Sequence, residues 1–243
     1  MDTADFKEIA AKMMGSRNTV VFTGAGMSTE SGLSDFRSKD GMWNVQDPME
    51  LATTSAMRDS YEKFHAFYAE RFGQMGEARP NEGHKILAKW ESAGLVKCVI
   101  TQNIDGLHAA AGSRAVHELH GSVGSVRCMD CGAGSTPEAF VVLKPCHACG
   151  GRLRPGVVLF GENLPPAALD ASWNAAEEAG VLMVLGSSLQ VSPANQMPAI
   201  AKRAGAMVVI CNRDITPMDH LADFRSSDGI GSFLTKLDSH ISL

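Results

Sequence analysis

The chain has 243 residues, with 22 Lys+Arg against 27 Asp+Glu, so it carries a formal charge of −5; 44% of it is hydrophobic and 20% charged. That size and balance suit one ample globular domain or two small ones, and they exclude a disordered tail or a collagen-like chain. Mild acidity argues against general nucleic-acid binding, so no direct nucleic-acid partner is expected.

In chain order, Phe6, Ile9, Ala10, Met13 and Met14 form a helical stripe that Gly15 is expected to close. Asp2 and Asp5 precede any lysine and no apolar run follows, so no secretory signal is read and a cytoplasmic location is expected. Thr19 to Thr23 reads as a buried strand, and it runs straight into Gly24-Ala25-Gly26-Met27-Ser28-Thr29-Glu30-Ser31-Gly32. A glycine-rich turn at the carboxyl end of a strand, feeding a helix, offers unpaired amides to a pyrophosphate. The usual dinucleotide spacing is not kept, since Thr29 stands where the third glycine belongs; no Walker A sequence is present. Helical patterns follow at Tyr61 to Phe72, Glu82 to Ala93 and Pro193 to Ala204, and strand-like runs at Val96 to Thr101, Val181 to Leu185 and Met207 to Cys211. Strands alternating with helices imply an α/β fold with a parallel sheet. Ala179 to Ala201 lacks charge, but Gly186, Pro193 and Pro198 with several polar residues interrupt it too often for a membrane span.

One stretch breaks this rhythm, roughly Val123 to Arg154, and reads as an inserted module. Cys128 and Cys131 form one Cys-x2-Cys pair, Cys146 and Cys149 another. Two such pairs match a four-thiolate tetrahedral zinc site, and with all four positions filled by cysteine the zinc is structural. Gly132 and Gly150-Gly151 follow the pairs, letting the backbone turn so that amides point back at the sulfurs. Cys98 and Cys211 lie in apolar runs and read as small buried hydrophobes.

Gln102, Asn103 and Asp105 follow the Val96 to Thr101 strand, where an open α/β sheet places its ligand crevice. Their amide and carboxylate groups suit ribose hydroxyls and a carboxamide, although Asp105-Gly106 is also a plain turn former. His117-Glu118-Leu119-His120 has one residue too few between its histidines for a zincin motif, and its neighbours are strand-like.

Gly32-Leu33-Ser34-Asp35-Phe36-Arg37, Gly41-Met42-Trp43, Thr101-Gln102-Asn103-Ile104-Asp105-Gly106-Leu107-His108 and Glu118-Leu119-His120-Gly121 together resemble the sirtuins, the NAD-dependent protein deacylases. The resemblance continues through the cysteine pairs, Cys149 to Pro155, Val157 to Glu162, Gly186 to Val191 and Cys211-Asn212, in the family's order along nearly the whole chain. It implies a Rossmann-like NAD-binding domain from residues 1–122 and 155–243, with the zinc module at 123–154. It implies acylated-lysine proteins as substrates, NAD as co-substrate and one structural zinc. His120 would be the general base, which its near-neutral titration suits. Asn103 would position the nicotinamide ribose or a water; Ile104 and Asp105 would hold the carboxamide and Gln102 the ribose. Gly24, Ala25, Gly26, Thr29 and Arg37 would line the phosphate and ribose path, and Phe36 would shield the emptied nicotinamide site. Gly186, Ser187, Ser188, Asn212 and Ile230 would take phosphate, ribose and adenine. Val158, Phe160 and Gly161 would belong to an extended segment pairing with substrate as an added strand.

The implied reaction begins with attack by the acyl oxygen on the ribose carbon bearing nicotinamide. An alkylimidate forms, His120 activates a ribose hydroxyl, and water releases free lysine and 2′-O-acyl-ADP-ribose. Two other readings share the first bond cleavage, ADP-ribose transfer to protein and NAD hydrolysis; a zinc-ribbon binding module that merely senses NAD is a third. The family commonly has Pro where Ser34 stands, which leaves φ free there and predicts a more mobile loop. Tyr68 and Arg71, at i and i+3, share a helix face and resemble the branch that removes succinyl and malonyl groups. The plain alternative packs Tyr68 with Phe64, Phe67 and Phe72 and leaves Arg71 in solvent. Asp35 in Asp-Phe-Arg looks more like the deacetylases, so acetyl is the expected acyl group.

Overall fold

The computed structural model describes residues 1–39, 41–44 and 47–242. Among the described residues nine strands make two sheets: β1 (Thr19–Thr23), β2 (Val96–Thr101), β3 (Val116–Glu118), β4 (Gly121–Cys128), β5 (Gly134–Ser135), β6 (Leu153–Val157), β7 (Val181–Leu185), β8 (Met207–Cys211) and β9 (Phe224–Ser226). The larger sheet is parallel throughout, in the order β3-β2-β1-β7-β8-β9. Every residue of β1 and β7 is buried, as expected of central strands covered on both faces.

The two faces follow from side-chain alternation. Val21, Val99, Met183 and Val209 meet Phe6, Ile9 and Met13 of the Thr3–Ser16 helix, Leu87 and Trp90 of Glu82–Ser92, and Phe233, Leu234 and Leu237 of Ile230–Asp238. Val20, Phe22, Ile100, Leu182 and Ile210 point the other way, onto Ala175 and Ala176 of the Pro166–Glu178 helix and Met197 and Ala201 of Met197–Arg203. Cys98 and Cys211 are buried in these layers. Burial pushes their thiols up, to about 11 and about 12 respectively.

Two local readings need correction. Gly15 stays inside the first helix, which turns off at Arg17 in the left-handed region (φ 49°), where the Arg17 N–H bonds the Met13 carbonyl. The run after Pro193 is split into a 3-10 turn, Ala194–Gln196, and the Met197–Arg203 helix, because Pro198 is accommodated only in a helix's first turn.

The smaller sheet is antiparallel, β5-β4-β6, and extends from Gly121 to Val157. It shares one core with a segment distant in sequence. Tyr61, Phe64, Phe67 and Tyr68 of the Tyr61–Glu77 helix pack with Val123, Val126, Phe140, Leu153 and Leu159. That helix is fastened to the module by the Tyr61 hydroxyl, which donates to the Leu153 carbonyl at 2.6 Å, and by His65 Nε2, 2.7 Å from the Phe140 carbonyl. Among the described residues no helix is long and apolar enough to cross a membrane.

Candidate active site

The strand order reverses direction at β1 and β7: β2 lies outside one, β8 outside the other. A crevice at the carboxyl ends of the strands on either side of such a point is where open α/β sheets bind ligands. Here it is a cavity of about 690 Å³, roofed by the residues around Phe36 and bounded by the Tyr61–Glu77 helix and the segment after β6.

On one side the turns after β1 and β7 meet backbone to backbone. A Cβ on Gly24 would lie 2.7 Å from the Gly186 carbonyl oxygen, and one on Gly186, itself at φ 63°, would lie 2.5 Å from the Met27 nitrogen. Glycine is therefore required at both. The turn continues as a 3-10 helix, Ala25–Ser31. The amides of Gly24, Gly26 and Met27 are bonded within the protein, so these three are not the free phosphate donors read from the sequence. Thr29 bonds back to the Gly26 carbonyl at 2.9 Å. Ala25, Thr29, Ser187, Ser188 and Asn212 line the same wall, and Ile230 closes it as the first residue of the C-terminal helix.

The residues after β2 form a connected polar set. Asn103 Nδ2 donates to Ser28 Oγ at 3.1 Å, and Ser28 Oγ donates to Asp105 Oδ2 at 2.7 Å. Asp105 Oδ1 accepts from the Leu107 amide at 2.9 Å while Gly106 sits at φ 73°, so the turn-forming role of Asp105-Gly106 is also present. Ser187 Oγ donates to Gln102 Oε1 at 2.7 Å, joining the β2 and β7 loops. Ile104 lines the cavity beside them. Ser28, a residue of the Gly24 to Gly32 turn whose hydroxyl is not among the groups expected from the sequence, is central to this set.

His120 follows β3, with Nδ1 2.9 Å from the Gln102 carbonyl oxygen. A carbonyl only accepts, so Nδ1 carries the proton and neutral His120 presents Nε2 as a proton acceptor. Burial lowers its pKa from the ordinary histidine value and the nearby Arg37 cation lowers it too, against the opposing effect of the Gln102 bond. His120 is therefore held in its basic form. His117 to His120 lies on and just after strand β3 and not on a helix.

The segment after β6 is anchored on both edges. The Val158 amide donates to the His120 carbonyl at 2.8 Å; the Phe160 amide donates to Ala52 and its carbonyl accepts from Thr54. Arg154, buried, grips Glu162 with two bonds of 2.6 and 2.9 Å and also donates to the Val157 carbonyl, while Glu162 accepts from the Leu159 amide. This clamp, which sequence reading missed, closes the chain from Val157 to Glu162 into a rigid arc, with Gly161 at φ 92°. Phe160 remains 39% exposed.

Tyr68 and Arg71 both face the cavity and both are buried. Arg71 in solvent is therefore wrong: the aromatic residues around Phe36 and the zinc module cover that helix face. Tyr68 does pack on Phe64, at 4.8 Å between ring centroids, and on Phe67 at 5.0 Å. Burial raises the Tyr68 phenol and lowers the Arg71 guanidinium.

The four thiols gather as expected, with all sulfurs within 4.8 Å of one another. Cys128 and Cys149 sulfurs are 3.5 Å apart, Cys131 and Cys146 3.7 Å. A tetrahedron of sulfurs about 2.3 Å from a zinc ion has edges of about 3.8 Å, so the set fits. The Asp130 and Ala148 amides point at Cys128 and Cys146, each at 3.4 Å, and Gly132 and Gly150 take positive φ to allow it.

A parallel sheet with a cleft at its switch point, joined to a module that gathers four thiols, defines a nucleotide-using α/β protein with a structural metal centre. The Sir2 family model matches residues 24–193. The chain belongs to the Sir2 family. It is 49% identical over 226 residues to an NAD-dependent protein deacetylase of Oceanobacillus iheyensis, covering 92% of this chain and 96% of that one. It is 52% identical over 219 residues to NAD-dependent protein deacetylase 1 of Geobacillus kaustophilus, covering 88% and 89%. A solved Sir2 variant with deacetylated p53 peptide and 3′-O-acetyl ADP-ribose superposes with a TM-score of 0.92 at 38% identity, over 98% of this chain and 99% of that one.

Proposed function

We infer that this protein removes acyl groups, acetyl first, from protein lysines with consumption of NAD, releasing nicotinamide and acyl-ADP-ribose. The observation that carries the reading is the tautomer of His120, fixed by the Gln102 carbonyl, in the cavity that the Asn103–Ser28–Asp105 set also lines. The Gly24–Gly186 contact supports the pyrophosphate path, with Ala25, Thr29 and Arg37 along it and Ser188, Asn212 and Ile230 toward adenine. Asp105 and Ile104 hold the carboxamide, Asn103 and Gln102 the ribose, and Phe36 shields the vacated nicotinamide space. Val158 to Gly161 pairs with the peptide, fixed in place by the Arg154–Glu162 clamp. The reactants are oriented and water kept out; bound nicotinamide, being cationic, leaves readily.

Zinc on Cys128, Cys131, Cys146 and Cys149 supplies folding free energy to the module and no chemistry. The NAD-binding unit is residues 1–122 with 155–243, and the module is 123–154, with the helices between residues 48 and 77 docked on it. The protein works in the cytoplasm on acylated proteins without contacting nucleic acid.

The test is incubation of NAD with an acetyl-lysine peptide and mass analysis of products. Acetyl-ADP-ribose in equal amount to free lysine supports deacetylation. ADP-ribose alone would establish hydrolysis, and a peptide mass gain would establish transfer.

Burial of Arg71 at the cavity wall favours a second activity, removal of acyl groups that end in a carboxylate. Its planar guanidinium and the Tyr68 hydroxyl would take the two carboxylate oxygens. Comparing kcat/KM on matched acetyl and succinyl peptides for wild type and Arg71→Met tests this. Selective loss of succinyl activity supports it; equal loss on both peptides counts against it.

A further inference from the structure

Phe36 has no covalent or hydrogen-bonded anchor for its ring, yet a shield must be held in place. The chain around it doubles back on itself: the Met42 amide donates to the Asp35 carbonyl at 2.9 Å and the Trp43 amide to the Phe36 carbonyl at 3.0 Å. Gly41 makes the return possible, since a Cβ there would lie 2.6 Å from the Arg37 nitrogen. The two limbs carry a stack. The rings of Phe36 and Trp43 lie 4.9 Å apart at 26°, and Trp43 stacks in turn on Phe67 at 6.3 Å. Phe67 and Arg71 are i and i+4 on one helix and so present the same face. The Arg71 guanidinium carbon sits 5.1 Å from the Phe36 ring centroid and 5.9 Å from that of Phe67, and Arg71 Nη1 reaches Met42 Sδ at 3.3 Å.

We propose that Arg71 is a positioning residue for Phe36: its cation docks the nicotinamide-covering aromatic onto the Tyr61–Glu77 helix and thereby keeps water from the ribose carbon after nicotinamide leaves. This rests on the deacylase reading above. A cation over a ring face within about 6 Å is attracted to it, more strongly the less water reaches the pair; here Arg71 is buried and Phe36 half-buried at the cavity wall. Without the cation the ring keeps its stack on Trp43, and through it an indirect link to Phe67, but loses its direct tie to the helix. Water then enters the emptied nicotinamide space. It bonds to C1′ of the alkylimidate as the C1′–O bond to the acyl oxygen breaks, its proton passes to solvent, and the electron pair restores the amide, so that ADP-ribose is released, nicotinamide has already been spent and the lysine is still acylated. The helix that lines the acyl pocket through Tyr68 thus also sets the fidelity of the nicotinamide end.

The readout is nicotinamide released per lysine deacetylated, measured on one acetyl peptide so that no acyl carboxylate is involved. Wild type gives one. In Arg71→Met that ratio should rise by about two- to tenfold, the factor such a contact is worth. Arg71→Lys, which keeps a cation, should fall between the two. Phe36→Leu should uncouple as well, and the Arg71→Met/Phe36→Leu double variant should uncouple no further than Phe36→Leu alone. A ratio of one in Arg71→Met, effects that multiply in the double variant, or no recovery in Arg71→Lys overturns the proposal. If Arg71→Met fails to fold by its thermal transition, the Lys and Leu variants decide it by the same ratio. Absence of acetyl-ADP-ribose from wild type itself would instead bring down the deacylase reading, before any variant is compared.

Discussion

His120 shows how a single side chain's role is set by its neighbours. Its own sequence window, with two histidines and a glutamate, says little among eight histidines in the chain. What gives it a role is the Gln102 carbonyl, eighteen residues earlier, which dictates the tautomer. His120→Ala should lower deacetylation by about 10²- to 10⁴-fold, the usual worth of a general base, with zinc content and thermal unfolding unchanged. Near-wild-type turnover of the purified variant would remove His120 from that role. The lowered pKa adds a second expectation. The base form is needed, so kcat/KM should climb with pH along a limb centred below the ordinary histidine value of 6.5 and be flat at neutrality. Arg37 contributes to that lowering. In Arg37→Gln the limb should therefore move to higher pH, whatever the change in NAD affinity; an unmoved or oppositely moved limb contradicts the assignment. Motif residues such as these were legible because chemistry confines their types. The contact of Arg71 with Phe36 was not, because nothing in the spacing of Phe36, Phe67 and Arg71 announces that a loop folds over that helix face.

Elements carry the link between the zinc module and catalysis. The Tyr61–Glu77 helix has one face on the module, through the Tyr61 and His65 bonds and the Arg152 guanidinium 4.8 Å from the Tyr61 ring centroid, and another on the cavity. Its amphipathic pattern was readable, but the partner covering it was not, since the covering strands lie more than forty residues further on. Cys128→Ser should abolish the one zinc per chain and melt the small sheet. Loss should then pass through the helix to Tyr68 and Arg71, ending deacetylation, while the adenine side of the cleft, built on β7 and β8, persists. ADP-ribose affinity by calorimetry should fall by no more than about tenfold (~1.4 kcal/mol). Full loss of ADP-ribose binding would mean that the module supports the whole molecule, and folded, active protein without zinc would remove the metal from the account.

At the scale of the molecule, the alternation of strands and helices was enough to predict a parallel sheet, because buried strands and amphipathic helices have different periods. A feature of the same core that no period reveals is a pair of buried histidines, His84 and His108, with ring centroids 4.7 Å apart. His108 Nε2 meets Thr23 Oγ1 at 3.0 Å at the end of β1, and His84 Nδ1 meets Asn81 Oδ1 at 2.9 Å. The remaining ring nitrogens, His84 Nε2 and His108 Nδ1, are buried without a partner. Desolvation lowers His84 to about 4, against the raising fields of Asp105 and Glu30, and lowers His108 to about 3. Folding thus requires both to be neutral. Between about pH 6.5 and 4 the unfolded chain holds protons that the folded one refuses, so stability is fully present above 6.5 and falls as the pH drops through that window. Each histidine contributes a slope of up to about 1.4 kcal/mol per pH unit. His117 and His120, also lowered, add in the same direction; Glu118, raised by burial, opposes them below its own shifted pKa. The Arg225-paired Asp219 and Lys202-paired Asp223 are lowered carboxylates and act at more acid pH, which separates their effect from the histidines. Urea denaturation at intervals from pH 7.5 to 4.5 measures the slope directly. His108→Leu should reduce it by about one proton whether the variant is more or less stable at pH 7; an unchanged slope would show that His108 is already charged in the native core.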